Sequence, residues 1–423
     1  MNKVILDTSV LGLGYFHEQS RTGIFRVAEE LFKGLHTSKE IELSLANTEN
    51  LPEMISYLKK YFPESKFNLV NRQADKVRAR FESSIISIFP FKSLPQKAVR
   101  EAFVRTRGYL KPHFSFNPTS LVAYDIYHSP FLPIPQELKG FSKPKKLITI
   151  HDLIPHLFPQ YFGEWNKMIM RKILESIDEH TTPICVSEAT KNDLCEATGV
   201  SPERVSVVHL AASKEVFYQE NNQEKIADTL KKYNISAESK HLISVSTLEP
   251  RKNIERTIRA FLKLIQQERI NDLNLVLVGT KGWQFDGIFE EIKSNPALKE
   301  RIITTGFVAD EDLAALYSSA IGFVYPSLYE GFGLPPLEAM QCGTPVISST
   351  KSSIPEVVGD AGVLVEPTDE TAISAAMLEF YQNENLRNEL RKKALLQAAK
   401  FSWERFTDEH IKIYQKKIGP RNL

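Results

Sequence analysis

The sequence is poor in cysteine, in net charge and in long apolar runs, and each shortage removes a class of protein. Only Cys185, Cys195 and Cys342 occur in 423 residues. They are odd in number and sit in apolar or helical context, which fits a reducing compartment better than a disulfide framework. The formal net charge is +1, so no global field points to nucleic acid. No window approaches the roughly 18 apolar residues of a membrane-spanning helix. The start, Met1-Asn2-Lys3-Val4-Ile5-Leu6-Asp7, lacks the apolar core and small-residue cleavage site of a signal peptide and reads as a strand. A cytoplasmic protein is expected, with peripheral association at the inner face of a membrane as a further expectation.

What remains is ordinary globular composition, 42% hydrophobic and 25% charged. At 423 residues the chain is too long for one core, so two or three domains are expected. The polar, Lys/Glu/Asn-rich run from Ala211 to about Ser239 marks the connection between them.

The stretch with most chemical content is Tyr329–Thr344, Y-E-G-F-G-L-P-P-L-E-A-M-Q-C-G-T. Ile321–Pro326 before it reads as a buried strand stopped by proline. Gly331 and Gly333 open a loop, Pro335 and Pro336 suit a first helical turn, and Gly343 suits the C′ position. Strand, glycine loop and helix start together attract an anion. Glu330 precedes the loop, and Glu338 is placed in the first helical turn, where dipole pairing alone would explain it.

The whole string resembles the donor-site motif of retaining, family-four glycosyltransferases of the GT-B fold. The resemblance is strong over about Leu242 to Val365, fainter before that, and mannosyltransferase-like in its variants. It implies an α/β chain of two Rossmann-like doubly wound domains facing a cleft. Residues 1–215 would form the acceptor-side domain, 216–400 the nucleotide-sugar domain, and 401–423 a helix crossing back.

Within that frame Thr247–Asn253, ending E-P-R-K-N, resembles the family's phosphate-binding cations, Arg251 and Lys252. The commoner pattern has arginine where this chain has Thr247, and Arg251 is read as supplying that charge from a shifted position. By the same resemblance Gly306, Phe307 and Val308 hold the nucleobase, and Gly279, ahead of Lys281-Gly282-Trp283, lies near the nucleotide. Gly331, Phe332, Gly333 and Leu334 present backbone N–H groups to the diphosphate, Glu338 accepts the ribose hydroxyls, and Glu330 orders the loop near sugar and phosphate. His151, off the strand Lys146–Ile150, resembles the family's sugar-contacting histidine, while Asp152 orients that loop or binds acceptor. Ser187 is read as a helix cap.

In the first half, Leu11-Gly12-Leu13-Gly14 reads as a glycine loop after the first strand, without the third glycine of a dinucleotide fingerprint. The T-G-I-x-R string at Thr22–Arg26 resembles the start of many sugar-nucleotide-dependent transferases. Gly14 and Arg26 are accordingly placed on the acceptor or phosphate side. Arg72 to Lys111 is basic, with Phe81, Ile85, Ile86, Ile88, Phe89, Phe91 and Phe103 interleaved. Two readings stand: a solvated basic helix face, or a surface for anionic lipid headgroups or a polyprenyl-diphosphate acceptor. Asp310-Glu311-Asp312 is formally D-x-D, but Asp310 is read as a helix cap, and no metal is expected there or at His128, His151 and His156.

The expected activity is a retaining, metal-independent hexosyl transfer, mannosyl for preference, from a nucleoside-diphosphate sugar such as GDP-mannose. The acceptor would be a glycan or a polyprenyl-diphosphate-linked one, in cell-surface polysaccharide synthesis. No cofactor and no nucleic-acid partner are expected. Fucose, rhamnose or glucose donors, a GT-B-fold sugar-nucleotide 2-epimerase, and a non-catalytic binding protein stand as alternatives.

Overall fold

The computed structural model describes residues 1–16, 23–110, 115–280 and 300–419. The chain divides into two units, one of residues 1–186, 190–208 and 403 onward, the other of 187–189 and 209–402.

The first unit is built on a parallel sheet of seven strands. These are β1 (Asn2–Asp7), β2 (Ile41–Ala46), β3 (Asn68–Leu69), β4 (Ile126–Ser129), β5 (Lys145–Ile150), β6 (Thr181–Cys185) and β7 (Ser206–Val207), in the order β3-β2-β1-β4-β5-β6-β7. The helix Gly23–Thr37 shows why the segment folds as it does. Phe25, Ala28, Leu31, Phe32 and Leu35 recur at helical spacing and are buried, while Lys33 on the wet face pairs with Glu29 and Glu30. Each large apolar side chain so buried contributes about 1.5–3 kcal/mol.

The helix Trp403–Ile418 packs on Gly23–Thr37, and a Cβ on Gly34 would lie 2.0 Å from Thr407 Oγ1, so only glycine permits that approach. The same helix is pinned to β4 by Tyr414, whose hydroxyl lies 2.6 Å from His128 Nδ1.

Leu11–Gly14, expected as a loop, lies instead within the helix Ser9–Phe16. Asp7 Oδ1 accepts the Ser9 N–H at 2.9 Å, so helix follows strand almost directly. The glycines serve packing: a Cβ on Gly12 would lie 2.2 Å from Asn50 Oδ1, and one on Gly14 2.3 Å from the Phe25 ring.

The second unit has six parallel strands, β8 (Lys240–Val245), β9 (Leu273–Val278), β10 (Ile302–Gly306), β11 (Gly322–Tyr325), β12 (Val346–Ser349) and β13 (Gly362–Val365). Their order is β10-β9-β8-β11-β12-β13. β9 is buried at every residue, as expected for a parallel strand covered on both faces. The order reverses direction between β8 and β11. In open α/β sheets the carboxyl ends of the strands flanking such a reversal form the ligand crevice. Among the described residues no helix is long and apolar enough to cross a membrane.

Candidate functional site

Two loops leave the sheet side by side at that reversal, one after β8 and one after β11. The first passes through Glu249 into a single 3-10 turn, Pro250–Lys252, and then through Asn253 at φ 60° into the helix Ile254–Gln267. Asparagine tolerates this left-handed conformation, and here its amide is also used. Asn253 Nδ2 donates to the carbonyls of Pro326 at 2.9 Å and Pro367 at 2.6 Å. Leu328 N–H donates to the Arg251 carbonyl at 2.9 Å. The two loops are therefore stitched together by backbone-directed bonds.

Side chains from both loops converge on Glu330, which is only 7% exposed. Its Oε1 accepts from Lys252 Nζ at 2.8 Å, Tyr325 Oη at 2.8 Å and Ser327 Oγ at 2.7 Å. Its Oε2 lies 2.9 Å from an Arg251 guanidinium nitrogen. Arg251 also reaches the Tyr329 carbonyl at 2.7 Å and Glu249 Oε1 at 2.6 Å, while Lys252 donates to Tyr325 Oη at 2.6 Å.

Two carboxylates thus balance two cations in a buried cluster. Burial opposes ionisation of Glu330, but Arg251 and then Lys252 outweigh it and hold the carboxyl at about 2. Burial, then the neighbouring Arg251 charge, lowers Lys252, against the pull of Glu330. Burial and Glu330 together push the Tyr325 phenol well above its ordinary range. Tyr325 accordingly stays protonated and donates to the carboxylate.

The glycine loop is held by serine hydroxyls. Ser353 Oγ lies 2.9 Å from the Glu330 carbonyl and 2.7 Å from the Phe332 carbonyl, and Ser352 Oγ accepts the Glu330 N–H at 2.9 Å. Ser187, read from sequence as a helix cap, sends its hydroxyl to the Gly331 carbonyl at 2.6 Å. Phe332 is buried beside His209 and Phe401. Gly333 adopts φ 108°, and a Cβ there would lie 2.8 Å from Ile354 Cδ1.

That backbone sets where the helix begins. It runs Leu334–Gln341, with Pro335 and Pro336 in its first turn and Gly343 beyond its end at φ 72°. Glu338, expected in the first turn, is the fifth residue of this helix and lies just beyond that turn, with Tyr317 Oη 3.4 Å from its Oε2. A residue at Gly333's φ cannot be helical, so the helix cannot start earlier.

At the end of β10, Gly306 has φ 71°, Val308 is buried and Phe307 is 74% exposed. Gly279 N–H donates to the Gly306 carbonyl at 3.0 Å, and its own Cβ position is blocked by the Ser246 carbonyl. Lys281, Gly282 and Trp283 lie outside the described residues, as does Thr22. Asp310 is the first residue of its helix rather than the cap, which is Ala309. Asp312 accepts from Lys232 and Tyr233, each at 2.7 Å.

The remaining candidates belong to the first unit. His151 follows β5 directly, and its Nε2 lies 2.8 Å from the Pro130 carbonyl. That bond requires hydrogen on Nε2, and burial lowers the ring to about 4, so Nδ1 is a bare acceptor at neutral pH. Asp152 Oδ1 accepts the Ile154 N–H at 2.9 Å and orients the loop. Arg26 is half-buried on the helix Gly23–Thr37. Gly14 has the packing role already described.

The structure thus brings together Arg251, Lys252 and Glu330 with the loop Gly331–Leu334. Sequence reading missed Tyr325, Ser327, Ser353 and the tie from Ser187. A tyrosine in an all-buried strand was a usable signal, because a buried phenol needs a polar partner.

Solved structures share this architecture. The Anabaena protein HepE, crystallised with UDP and glucose, superposes with a TM-score of 0.65 at 16% identity, over 98% of this chain and 99% of that one. This is the GT-B fold of two α/β domains. Within that class, the model of the family described as glycosyl transferases group 1 matches residues 183–397, and a Glycosyltransferase Family 4 model matches 73–213. The chain belongs to the glycosyl transferases group 1 family.

Among curated relatives, the Escherichia coli O-antigen chain mannosyltransferase B is 35% identical over 69% of this chain and 74% of its own length. The Escherichia coli serotype-specific mannosyltransferase WbdA is 35% identical over 61% of this chain, but this chain spans only 32% of that protein.

Proposed function

We propose that this glycosyltransferase moves a hexose, mannose for preference, from a nucleoside-diphosphate sugar with retention of anomeric configuration and without a metal ion. The acceptor in this reading is a glycan or a polyprenyl-diphosphate-linked one, used in building a cell-surface polysaccharide such as O-antigen. The enzyme would meet it at the inner face of an anionic membrane through residues 72–111. The mannosyltransferase names of its relatives support the sugar.

The observation that carries the reading is the buried set Arg251–Glu330–Lys252 beside the glycine loop. Charge builds on the diphosphate as the glycosidic bond breaks. A cation at about 4 Å offers up to about 4 kcal/mol at an effective dielectric near 20, against about 0.3–2 kcal/mol from a helix start. Arg251 and Lys252 therefore carry more of the leaving-group stabilisation than the Phe332–Leu334 amides.

Glu330 keeps both cations charged and fixed, so little reorganisation is needed as the reaction proceeds. Glu338 is assigned the ribose hydroxyls, the Gly306–Val308 backbone with exposed Phe307 the nucleobase, and His151 Nδ1 a sugar hydroxyl. Gly14, Arg26 and Asp152 are assigned to the acceptor or phosphate side. The bond from sugar C1 to the phosphate oxygen breaks as one to the acceptor oxygen forms, and the acceptor proton goes to the departing phosphate. No protein nucleophile takes part.

The test is Lys252→Ala with a panel of nucleotide sugars followed by thermal shift and transfer. The expected result is a clear preference for GDP-mannose in the parent and a kcat/KM at least about 100-fold lower in the variant. A variant that transfers at the parent rate removes Lys252 from the scheme. Conversion of donor to an isomer without acceptor would favour an epimerase instead.

A further inference from the structure

We infer that the helices Gln73–Ile86 and Leu94–Leu110, with the loop joining them, form a surface that inserts apolar side chains into an anionic bilayer. This deepens the membrane contact proposed above and rests on it. The helix Gln73–Ile86 buries Ala79, Ser83 and Ile86 on its inner face. Val77 and Phe81 are one turn apart on another face and stand 57% and 61% exposed. Ile88, in the loop just beyond the end of that helix, is 69% exposed, and Leu94 at the next helix start is 81% exposed. Such a concentration of water-facing large apolar side chains marks an interaction surface.

Charge on this segment is sorted by sign. Asp75 and Glu82 are buried, Asp75 accepting from the Ser115 backbone at 3.0 Å. Glu53, on the neighbouring helix Leu51–Tyr61, is also buried and pairs with Arg100 at 3.2 Å. Of the acids between 72 and 111, only Glu101 is exposed. Arg80 and Lys97 lie outside. Lys60 and Lys92 flank Phe91, their Nζ atoms 3.8 and 5.5 Å from its ring centroid.

Apolar side chains set among outward cations match a lipid interface, where acyl chains take the apolar groups and phosphate headgroups take the ammonium and guanidinium groups. A second copy of this chain would set the same cations against each other, so the surface is assigned to lipid and not to self-association.

The experiment uses the full chain with vesicles of phosphatidylglycerol and phosphatidylethanolamine, and with pure phosphatidylcholine as reference. Partition into the anionic vesicles should be at least about tenfold stronger and should fall at high salt. Phe81→Ser with Leu94→Ser should weaken partition about tenfold on both vesicle types. Arg80→Ser with Lys97→Ser should cut the preference for anionic vesicles about tenfold. Thermal melting and UDP or GDP binding are measured on each variant and should match the parent, which keeps the sugar-transfer reading separate. The inference is overturned by a parent that does not partition, that shows no anionic preference, or whose partition survives both double variants. A dimer that disappears with Phe81→Ser would also overturn it.

Discussion

Lys252 Nζ and Glu330 Oε1, from loops that follow different strands, lie 2.8 Å apart and form one buried ion pair. The acid of the glycine loop and the lysine after β8 are therefore a single unit, and removing the Glu330 charge takes a countercharge from both Lys252 and Arg251.

Glu330→Gln tests that coupling. It leaves Arg251 and Lys252 buried with one fewer countercharge, so stability should fall by about 3–5 kcal/mol in denaturant unfolding. Transfer should fall with it, since the cations lose their fixed placement.

The same carboxyl sets an acid limit. Its folded value of about 2 lies below the ordinary 4.5, so its contribution to stability is fully present above about 4.5 and is lost as pH falls through about 2. Unfolding followed between neutral pH and strong acid should show this loss in the parent and not in Glu330→Gln.

Tyr325→Phe removes a hydroxyl that receives Lys252 and donates to Glu330. Leaving those groups one bond short should cost about 1–3 kcal/mol. Denaturation midpoints report the stability loss, and kcat should drop more than KM rises because the phenol orders the cations without being assigned to substrate.

Gly333→Ala forces a Cβ at φ 108° to within 2.8 Å of Ile354. The left-handed backbone alone costs about 1–2 kcal/mol. Titration calorimetry should show nucleotide affinity about tenfold weaker, because the amides of the loop move with it.

A second acid response is expected in the first unit. His128 and His410 stack at 5.4 Å in the interior, and burial lowers His410 from 6.5 to about 4. The unfolded chain then takes up protons first, so stability is full above about 6.5 and falls as pH drops toward about 4. By pH 5 the loss from His410 should reach about 2 kcal/mol. His410→Phe should make the fall in melting temperature over this range shallower without abolishing it, since burial also lowers His128 and His151.

Much of the second unit was legible beforehand. The apolar runs at Leu242–Val245, Leu275–Val278 and Phe323–Tyr325 lie in strands, and the amphipathic segment after Asn253 forms its helix. Helix limits were less legible. Gly12 and Gly14 look like a loop in isolation, yet their work is to admit Asn50 and Phe25, a demand made by residues distant in the chain. Glu338 falls just past the first turn because the helix starts at Leu334, ahead of the two prolines, directly after the left-handed Gly333.

The string of residues by itself determined the two α/β halves and the motif of cations, glycines and acids, since these depend on local periodicity and residue type. Only the tertiary structure decided that Arg251 and Lys252 meet Glu330, some 78 positions away from Lys252. The reason is the strand order: β11 pairs with β8 while β9 and β10 lie on the other side, and parallel pairing through long crossovers leaves no mark in the sequence between.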